Sequence, residues 1–399
     1  MNLIKNIIKN LSFLLIGGMV SILGSCSNDP SDSPFVGPEE PGEAESSILI
    51  YAVATNNLAS NLISDKSEML RGAQNIDLNK NNILIFETKN LYLQNNVRTC
   101  QISLIKLVKE DSGYNWETIE EYSSDIDPLD PLTVKNTINN FIDKFPAKSY
   151  GLVFWSHSTG ADPYMPVSRS DAMSYSFGQD QTASSEANEQ INVDELASAI
   201  PNDLFHYIWF DSCYMSNIES IYEFRKKCNY YVGYPTEVDG YGLPYDIVLP
   251  YMVGEDPDLV HAAELFYNHY KNSIATVAVM DMAKIENFAN ACNSYLSEGY
   301  EVSNSSMMKY SRGTIGPFYD LGDYVKAMAK ESAKNLPDNV WNEILDDFVI
   351  YKAATPRDYN NALIYPERYS GISTHKYTFG NDSSNESFYK SLSWFSTVF

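Results

Sequence analysis

Apolar residues along the chain alternate between short continuous runs and helical spacings, which is typical of a parallel sheet covered by helices. The continuous runs are rich in β-branched and aromatic residues, so we interpret them as buried strands. They lie at residues 48–55, 83–87, 100–108, 150–156, 206–211, 230–234 and 276–281. The pattern therefore predicts an α/β fold with a mostly parallel sheet.

Segments with apolar residues three or four positions apart predict the helices between these strands. The clearest example carries Val134, Ile138, Phe141 and Phe145 on one face. Further helices are predicted at residues 57–72, 193–200, 215–227, 245–252, 257–271 and 282–296. The last hundred residues have a mixed pattern, which indicates extra C-terminal elements.

Residues 158–190 have little periodicity and are rich in Ser, Asp, Gln and Ala. This composition predicts a long surface loop between two buried strands. Long loops inside compact domains often carry a function.

The amino-terminal residues are typical of an export signal. Two lysines precede an apolar run at residues 11–23, which is too short to cross a bilayer. The run ends in Leu23-Gly24-Ser25-Cys26, which resembles the lipobox of bacterial lipoproteins. We therefore expect residues 1–25 to be a lipoprotein signal peptide and Cys26 to be lipidated. An ordinary cleaved signal peptide is the alternative, and either one implies export.

Residues 26–47 are dense in Pro, Gly, Ser and acidic residues, with few apolar groups to bury. Such a composition predicts a disordered tether. The remaining residues, 48–399, are enough for one large α/β domain with additions, or for two domains. The mature protein is expected to stand on the periplasmic or cell-surface side of a bacterial membrane, held there by the lipid on Cys26.

The chain carries a formal net charge of −24. Nucleic acid is an unlikely partner for such a chain, because binding to phosphates relies on clustered lysines and arginines. The acidic surface favours the approach of basic substrates over acidic ones.

The four cysteines after Cys26 show no spacing typical of a metal site. We interpret Cys100, Cys228 and Cys292 as structural residues within or beside apolar segments. No metal site is predicted, and no acidic run has the spacing of a calcium-binding loop.

His157 and Cys213 each follow a predicted buried strand, and the two strands are successive. Because the carboxyl ends of neighbouring parallel strands meet at one edge of a sheet, these side chains could face each other there. A cysteine needs a base to react as a nucleophile, and histidine is a suitable one. A helix from about Met215 would also place its positive end near Cys213, favouring a thiolate and an oxyanion.

Several segments resemble the clostripain family of cysteine peptidases. Trp155-Ser-His-Ser-Thr-Gly160 is similar to the family's aromatic strand ending in His-Gly-x-Gly, and Phe210-Asp-Ser-Cys-Tyr-Met215 is similar to its Asp-Ala-Cys-x-Met. The resemblance extends to four more segments in the same order, over about residues 48–325. They are Tyr51-Ala-Val-Ala-Thr-Asn-Asn-Leu58, Tyr230-Tyr-Val-Gly-Tyr-Pro-Thr236, Gly242-Leu-Pro-Tyr245 and Tyr319-Asp-Leu-Gly-Asp323.

The resemblance implies a caspase-like fold and an endopeptidase that cleaves peptides or proteins after Arg or Lys. It gives Cys213 as the nucleophile, His157 as the acid and base, and the backbone N–H groups of Ser158 and Cys213 as the oxyanion site. Asp211 would lie at the base of the pocket for the basic side chain, with Thr236 and Asp239 near it.

Family members are often cut between the histidine and the cysteine, and Arg169 is the single Lys or Arg in that interval. The resemblance therefore predicts self-cleavage after Arg169. No cofactor is expected from the residues, although calcium is compatible with the resemblance.

Ser158 departs from the family, which has glycine at this position. A serine keeps the N–H group but restricts the backbone, and its side chain could crowd the substrate. Ser212 replaces the family's alanine, a smaller departure. Two alternatives therefore remain open: a degenerate relative that binds peptides or proteins without cleaving them, and a glycan-binding surface lipoprotein, suggested by 29 tyrosines and five tryptophans.

Overall fold

Strand β1 (Ala44–Val53) lies inside the main sheet and is buried on both faces. Its side chains alternate, so that Leu49 and Tyr51 join one hydrophobic core and Ile48 and Ile50 join the other. A continuous apolar run is what such a two-sided strand requires, because neither face meets water. The computed structural model describes residues 43–92, 98–161, 176–180, 189–312, 317–380 and 383–399.

Thirteen further strands follow β1 in the described parts of the chain. They are β2 (Asn81–Tyr92), β3 (Arg98–Glu110), β4 (Gly113–Tyr122), β5 (Ala147–Trp155), β6 (Phe177–Asp180), β7 (Glu189–Ile191), β8 (Phe205–Asp211), β9 (Cys228–Gly233), β10 (Thr276–Asp281), β11 (Lys309–Tyr310), β12 (Phe318–Asp320), β13 (Val349–Ala354) and β14 (Ser373–Thr374).

Eight of these strands join β1 in the nine-stranded main sheet, in the order β13-β10-β9-β8-β5-β1-β2-β3-β4. The five strands from β9 to β2 are parallel, and two antiparallel strands extend the sheet on each side. β11, β12 and β14 form a small separate sheet, and β6 pairs with β7.

Helices cover both faces of the main sheet. In the described residues they are α1 (Ala59–Gly72), α2 (Pro131–Lys144), α3 (Val193–Ala199), α4 (Ile218–Glu223), α5 (Tyr245–Val248), α6 (Leu259–Tyr270), α7 (Ile285–Tyr295), α8 (Leu321–Glu331), α9 (Asp338–Phe348), α10 (Ser384–Ser391) and α11 (Ser393–Val398). α1, α5 and α6 pack on one face, and α2, α3, α4, α7, α8 and α9 supply the core on the other. The prediction of an α/β fold with helices flanking a mostly parallel sheet is confirmed.

Three expectations from the sequence differ from the structure. β1 begins at Ala44, so the last four residues assigned to the tether are paired in the sheet; Ser46 and Ser47 are buried there because each hydroxyl has a hydrogen-bond partner. The segment predicted to be a surface loop contains β6, whose four residues are buried. The sequence reading also missed β4, whose half-exposed, charged pattern lacks an apolar run.

β4 is the last strand on its side of the sheet, and its outward positions are polar. Glu117 and Glu121 are exposed. Its pairing with β3 is irregular between Leu104 and Ile105. Only one edge of this strand is therefore covered by a neighbour in the main sheet.

Candidate active site

The ends of β5 and β8 bring His157 and Cys213 to one cleft. The two strands are parallel neighbours in which Trp155 pairs with Asp211. His157 and Cys213 each lie two residues beyond this pair, so both emerge at the carboxyl edge of the sheet. Both side chains line the same cleft, together with Asp211, Glu237, Val238, Asp239 and Tyr359. The predicted juxtaposition is thus present.

The chain after Cys213 forms a turn and then an irregular segment, and the predicted helix at residues 215–227 is wrong in its limits. Tyr214 has a positive φ of 60°, and its N–H donates to the carbonyl of Thr236 at 3.0 Å. Ser216 donates from its N–H to Tyr234 at 3.0 Å and from its hydroxyl to Gly371 at 2.7 Å. A helix from Met215 would also need the carbonyls of Met215 and Ser216, but these accept from the hydroxyl of Tyr231 at 2.7 Å and the N–H of Ser373 at 2.8 Å, so α4 starts only at Ile218.

The helix therefore begins five residues after Cys213 and does not stabilise a thiolate there. Burial instead raises the pKa of the Cys213 thiol to about 12, and the nearby carboxylates of Glu237 and Asp211 add to this increase. Sγ lies 3.5 Å from the backbone N of Val238. The resting group is a neutral thiol, contrary to the expectation of a preformed thiolate.

The imidazole of His157 contacts Asn57, a residue that the sequence analysis did not single out. Nε2 lies 2.6 Å from Oδ1 of Asn57, which belongs to the turn after β1. Burial lowers the pKa of His157 below its ordinary value, because the charged ring is poorly solvated in the cleft wall. At neutral pH the ring is consequently neutral and able to accept a proton.

Ser158 joins the two segments that carry these groups. Its hydroxyl donates a short hydrogen bond to the carbonyl oxygen of Cys213, and its side chain is buried outside the cleft lining. The side chain of Ser158 is therefore not part of the described cleft lining. Ser158 also pairs with Phe177 in an isolated antiparallel β-bridge. The hydrogen bonds of this bridge are made by the residues next to Ser158 and Phe177, so the bridge does not use the N–H of Ser158. Among the described residues, no group accepts from the N–H of Ser158 or Cys213.

Gly160 allows the same two segments to approach closely. Its φ is +81°, and a Cβ at this position would lie 2.9 Å from the carbonyl oxygen of Tyr214. A side chain here would push the segments apart, so the third residue after His157 must be glycine in this arrangement.

Asp211 lies at the base of the cleft with one carboxylate oxygen unpaired. Oδ2 accepts hydrogen bonds from the N–H of Leu243 at 3.2 Å and the hydroxyl of Tyr245 at 3.0 Å. Oδ1 has no partner at hydrogen-bond geometry in the described parts of the chain, and the buried hydroxyl of Tyr234 is close enough to lower the pKa of this carboxyl slightly. Burial raises the pKa of Asp211 to about 6. Gly242, at a φ of +58°, keeps the approach open, since a Cβ there would lie 2.9 Å from both oxygens.

The remaining predicted positions are divided between the cleft, the core and undescribed segments. Asp239 lines the cleft. Thr236 does not, because it is fully buried and its hydroxyl pairs with Thr276 at 2.7 Å. Arg169 and Cys26 lie outside the described residues, so the structure does not bear on self-cleavage or lipidation at those positions.

The other described cysteines are unpaired and buried, in agreement with a structural role for Cys100, Cys228 and Cys292. Within the described ranges, no group of three or more His, Cys, Asp or Glu residues is arranged to hold a metal ion. In the same ranges, none of the helices has both the length and the apolar character needed to span a membrane.

Comparisons with known proteins found a family model and several solved structures similar to this chain. Residues 50–395 match the family model described as the clostripain family. A secreted C11 cysteine protease from Bacteroides thetaiotaomicron, solved with an irreversible peptide inhibitor, is 25% identical with a TM-score of 0.73, covering 89% of this chain and 99% of its own. An inactive zymogen C11 protease from Parabacteroides distasonis is 27% identical with a TM-score of 0.72, covering 90% and 99%. No match was found among curated proteins.

Proposed function

Because this chain belongs to the clostripain family of cysteine peptidases, we propose that it is an endopeptidase that cleaves after Arg or Lys. The observation that carries the proposal is the shared cleft, in which Cys213, His157 and the unpaired oxygen of Asp211 lie together. Peptides and proteins with exposed basic residues are the proposed substrates, and no cofactor is required by this chemistry.

The reaction begins with a neutral thiol and a neutral imidazole. His157 takes the proton of Cys213 as Sγ attacks the carbonyl carbon of the substrate. The C–N bond then breaks, and the proton passes from the imidazole to the leaving amine. Water hydrolyses the thioester with His157 again as base, which returns the thiol. Because the raised pKa keeps Cys213 as a neutral thiol, its proton moves to His157 at the same time as Sγ attacks the substrate in this scheme.

Two free backbone N–H groups support the proposed oxyanion site. The amides of Ser158 and Cys213 have no acceptor in the described part of the chain, and the bond from the Ser158 hydroxyl to Cys213 holds their segments together. Fixed donors aimed at a developing oxyanion stabilise the transition state. This placement supports an active enzyme in preference to a degenerate binding protein.

The proposed specificity follows from a contrast between two buried acids. Asp320 and Asp211 both have their pKa raised to about 6, largely by burial. Asp320 is fully partnered, by Tyr310, Asp323 and Ser370. Asp211 has one oxygen without a partner, at the base of the cleft. A substrate guanidinium or ammonium group would satisfy that oxygen.

Asn in place of Asp211 should lower kcat/KM for Arg and Lys peptides by at least about 100-fold, because the pocket loses the charge that pairs with the substrate. The rate at which iodoacetamide alkylates Cys213 should not fall, since the thiol is kept and the substitution removes a carboxylate that adds to its raised pKa. A panel of fluorogenic peptides that differ only in the residue before the cleaved bond measures the first effect. The alkylation rate, followed by mass spectrometry, measures the second.

Asp320→Asn is the matched control, since it also neutralises a buried acid but one that does not line the cleft. The wild-type protein adds a pH test. Asp211 is charged above its pKa of about 6 and neutral below it, so KM for Arg peptides should rise as the pH falls through this value. Equal cleavage of Arg peptides by wild type and Asp211→Asn would place the specificity pocket elsewhere.

We further propose that the enzyme matures by cleaving its own chain after Arg169 and that lipid on Cys26 holds it at the membrane. The interval between His157 and Cys213 offers no other Lys or Arg for the pocket of Asp211. A relative described as an inactive zymogen supports a precursor stage, and a relative described as secreted supports export.

One mass measurement on protein made in a bacterial host that processes lipoproteins tests both steps. The wild-type protein should consist of two chains separated after Arg169, with acyl chains on Cys26. Cys213→Ala should be uncut but acylated, and Cys26→Ser should be cut but not acylated. An intact wild-type chain that hydrolyses Arg peptides would exclude the first step, and a Cys26→Ser chain with the lipid mass would exclude the second.

The structure gives little support to glycan binding. Four of the five tryptophans, namely Trp155, Trp209, Trp341 and Trp394, are at most 3% exposed and therefore cannot form a stacking platform for sugars.

A further inference from the structure

Asn57 makes a single described side-chain contact, and that contact is with His157. Its Oδ1 lies 2.6 Å from Nε2 of the ring. An amide oxygen can only accept a hydrogen bond, so Nε2 must carry the proton in this pair. The imidazole is then the Nε2–H tautomer, and Nδ1 is the nitrogen with the free lone pair.

The fold brings Asn57 to this place through the neighbouring strands β1 and β5. These strands are parallel, and Ala52 of β1 pairs with Trp155 of β5. The turn after β1 and the segment after β5 consequently emerge at the same edge of the sheet. Asn57 is five residues past its paired position and His157 is two past its own.

Two buried polar residues that precede Asn57 fix the turn. The side-chain amide of Asn56 donates to the carbonyls of Val53 at 3.0 Å and Gln179 at 2.8 Å, and its oxygen accepts from the N–H of Leu58 at 2.9 Å. The hydroxyl of Thr55 donates a short hydrogen bond to Asp180. Asn56 and Thr55 are buried, whereas Asn57 is exposed. The backbone of the turn therefore does not depend on the side chain of Asn57.

We propose that Asn57 is the positioning residue of His157, and that it holds the ring in the Nε2–H tautomer so that Nδ1 receives the proton of Cys213. This inference rests on the proposed peptidase function. A neutral amide orients the ring without attracting a proton to it, as a carboxylate would. The lowered pKa of His157, for which burial is the cause, agrees with such a neutral partner. The ring thus stays a base at neutral pH.

Asn57→Ala should lower kcat by about 10- to 100-fold with KM nearly unchanged, since small misplacements of a catalytic group have effects of this size. Asn57→Asp keeps an acceptor but adds a charge, which should recover part of kcat. It should also move the acidic limb of the pH-rate profile upward by about one pH unit, because a nearby carboxylate raises the pKa of an imidazole.

Asn79→Ala is the control, since Asn79 is an exposed asparagine of another turn and its hydrogen bonds within the described residues are to Asp77. The other titratable groups lining the cleft are Asp211, Cys213, Glu237, Asp239 and Tyr359. They are the same in all the variants, so a shift confined to Asn57→Asp reports on His157. Equal melting temperatures exclude a loss of folding as the cause of a lower kcat.

A second measurement needs no substrate. In Cys213→Ala protein with 15N-labelled histidine, nitrogen chemical shifts distinguish the two tautomers, and loss of one signal in His157→Ala identifies the ring. Nε2–H should dominate with Asn57 present and lose its dominance in Asn57→Ala. An unchanged tautomer together with an unchanged kcat in Asn57→Ala would overturn the inference. A tautomer that depends on Asn57 in a protein that cleaves no Arg or Lys peptide would support the positioning contact and overturn the proposed function.

Discussion

Replacing Cys213 with alanine should reduce peptide hydrolysis by at least about 10⁴-fold, because loss of a nucleophile removes the covalent route altogether. The fold should remain, since the thiol is half-buried and its described hydrogen-bonding contacts are with the backbone of Val238. The lost packing is worth roughly 1 kcal/mol of unfolding free energy. Hydrolysis of a fluorogenic Arg peptide and thermal unfolding measure the two effects.

Cys100→Ala is the control, because Cys100 is a second unpaired cysteine and lies outside the cleft lining. It should keep its activity and remain sensitive to iodoacetamide. If Cys213→Ala retained more than a hundredth of wild-type turnover, and that turnover were still lost on alkylation, another cysteine would be the nucleophile.

His157→Ala should lower kcat by about 10²- to 10⁴-fold, the usual contribution of a positioned acid or base. The neutral ring is the active base, and burial lowers its pKa. Wild-type kcat should accordingly fall only below the ordinary histidine range as the pH decreases, and this limb should vanish in the variant. Rates at saturating substrate are needed, because they separate His157 from the effect of Asp211 on substrate binding.

His206→Ala provides a close control for this change. His206 is also partly buried with a lowered pKa, but it lies near the start of β8, at the opposite end from Cys213. Its removal should leave kcat and the acidic limb as they are. A His157→Ala protein with the wild-type pH profile would mean that another group accepts the proton of the thiol.

The pair His157 and Cys213 could be predicted because both follow short apolar strands, which are successive strands of the main sheet along the chain and neighbours within it. A buried strand shows in its own sequence as an apolar run. The carboxyl ends of neighbouring parallel strands lie at one edge of a sheet in all such folds, so this rule can be applied without a structure. The neighbouring acid Asp211 came only from the family resemblance. Its unpaired oxygen depends on where Leu243 and Tyr245 donate, which no local pattern reveals.

The start of α4 could not be predicted, since distant residues decide it. Met215, Ile218 and Tyr222 have helical spacing, but the chain up to Asn217 bonds to Tyr234, Thr236 and the segment near Gly371. These partners are separated from Met215 by about twenty and more than 150 positions. The expectation of a thiolate at Cys213 depended on this helix and is wrong for the same reason. Burial raises the pKa of Cys213, and no helix end lies beside the thiol to oppose that increase.

Asn57 shows a different limit of the sequence. The Asn-Asn pair after the first strand was visible, yet the two residues have opposite roles. Asn56 is buried and ties the turn together, whereas Asn57 is exposed and reaches His157. The sequence alone does not show which of the two asparagine side chains is buried in the turn and which one reaches His157.

The outermost strand β4 affects how copies of this protein behave when they are crowded. A strand at the margin of a sheet offers unpaired N–H and C=O groups on which another chain can build, and this is a common route to aggregation. Here the margin carries the exposed carboxylates of Glu117 and Glu121, and its irregular pairing with β3 disturbs the flat register that a second strand would need. Because every copy is strongly acidic, with a net charge of −24, approach along this margin is repulsive. Copies can therefore be packed densely without their sheets fusing through β4.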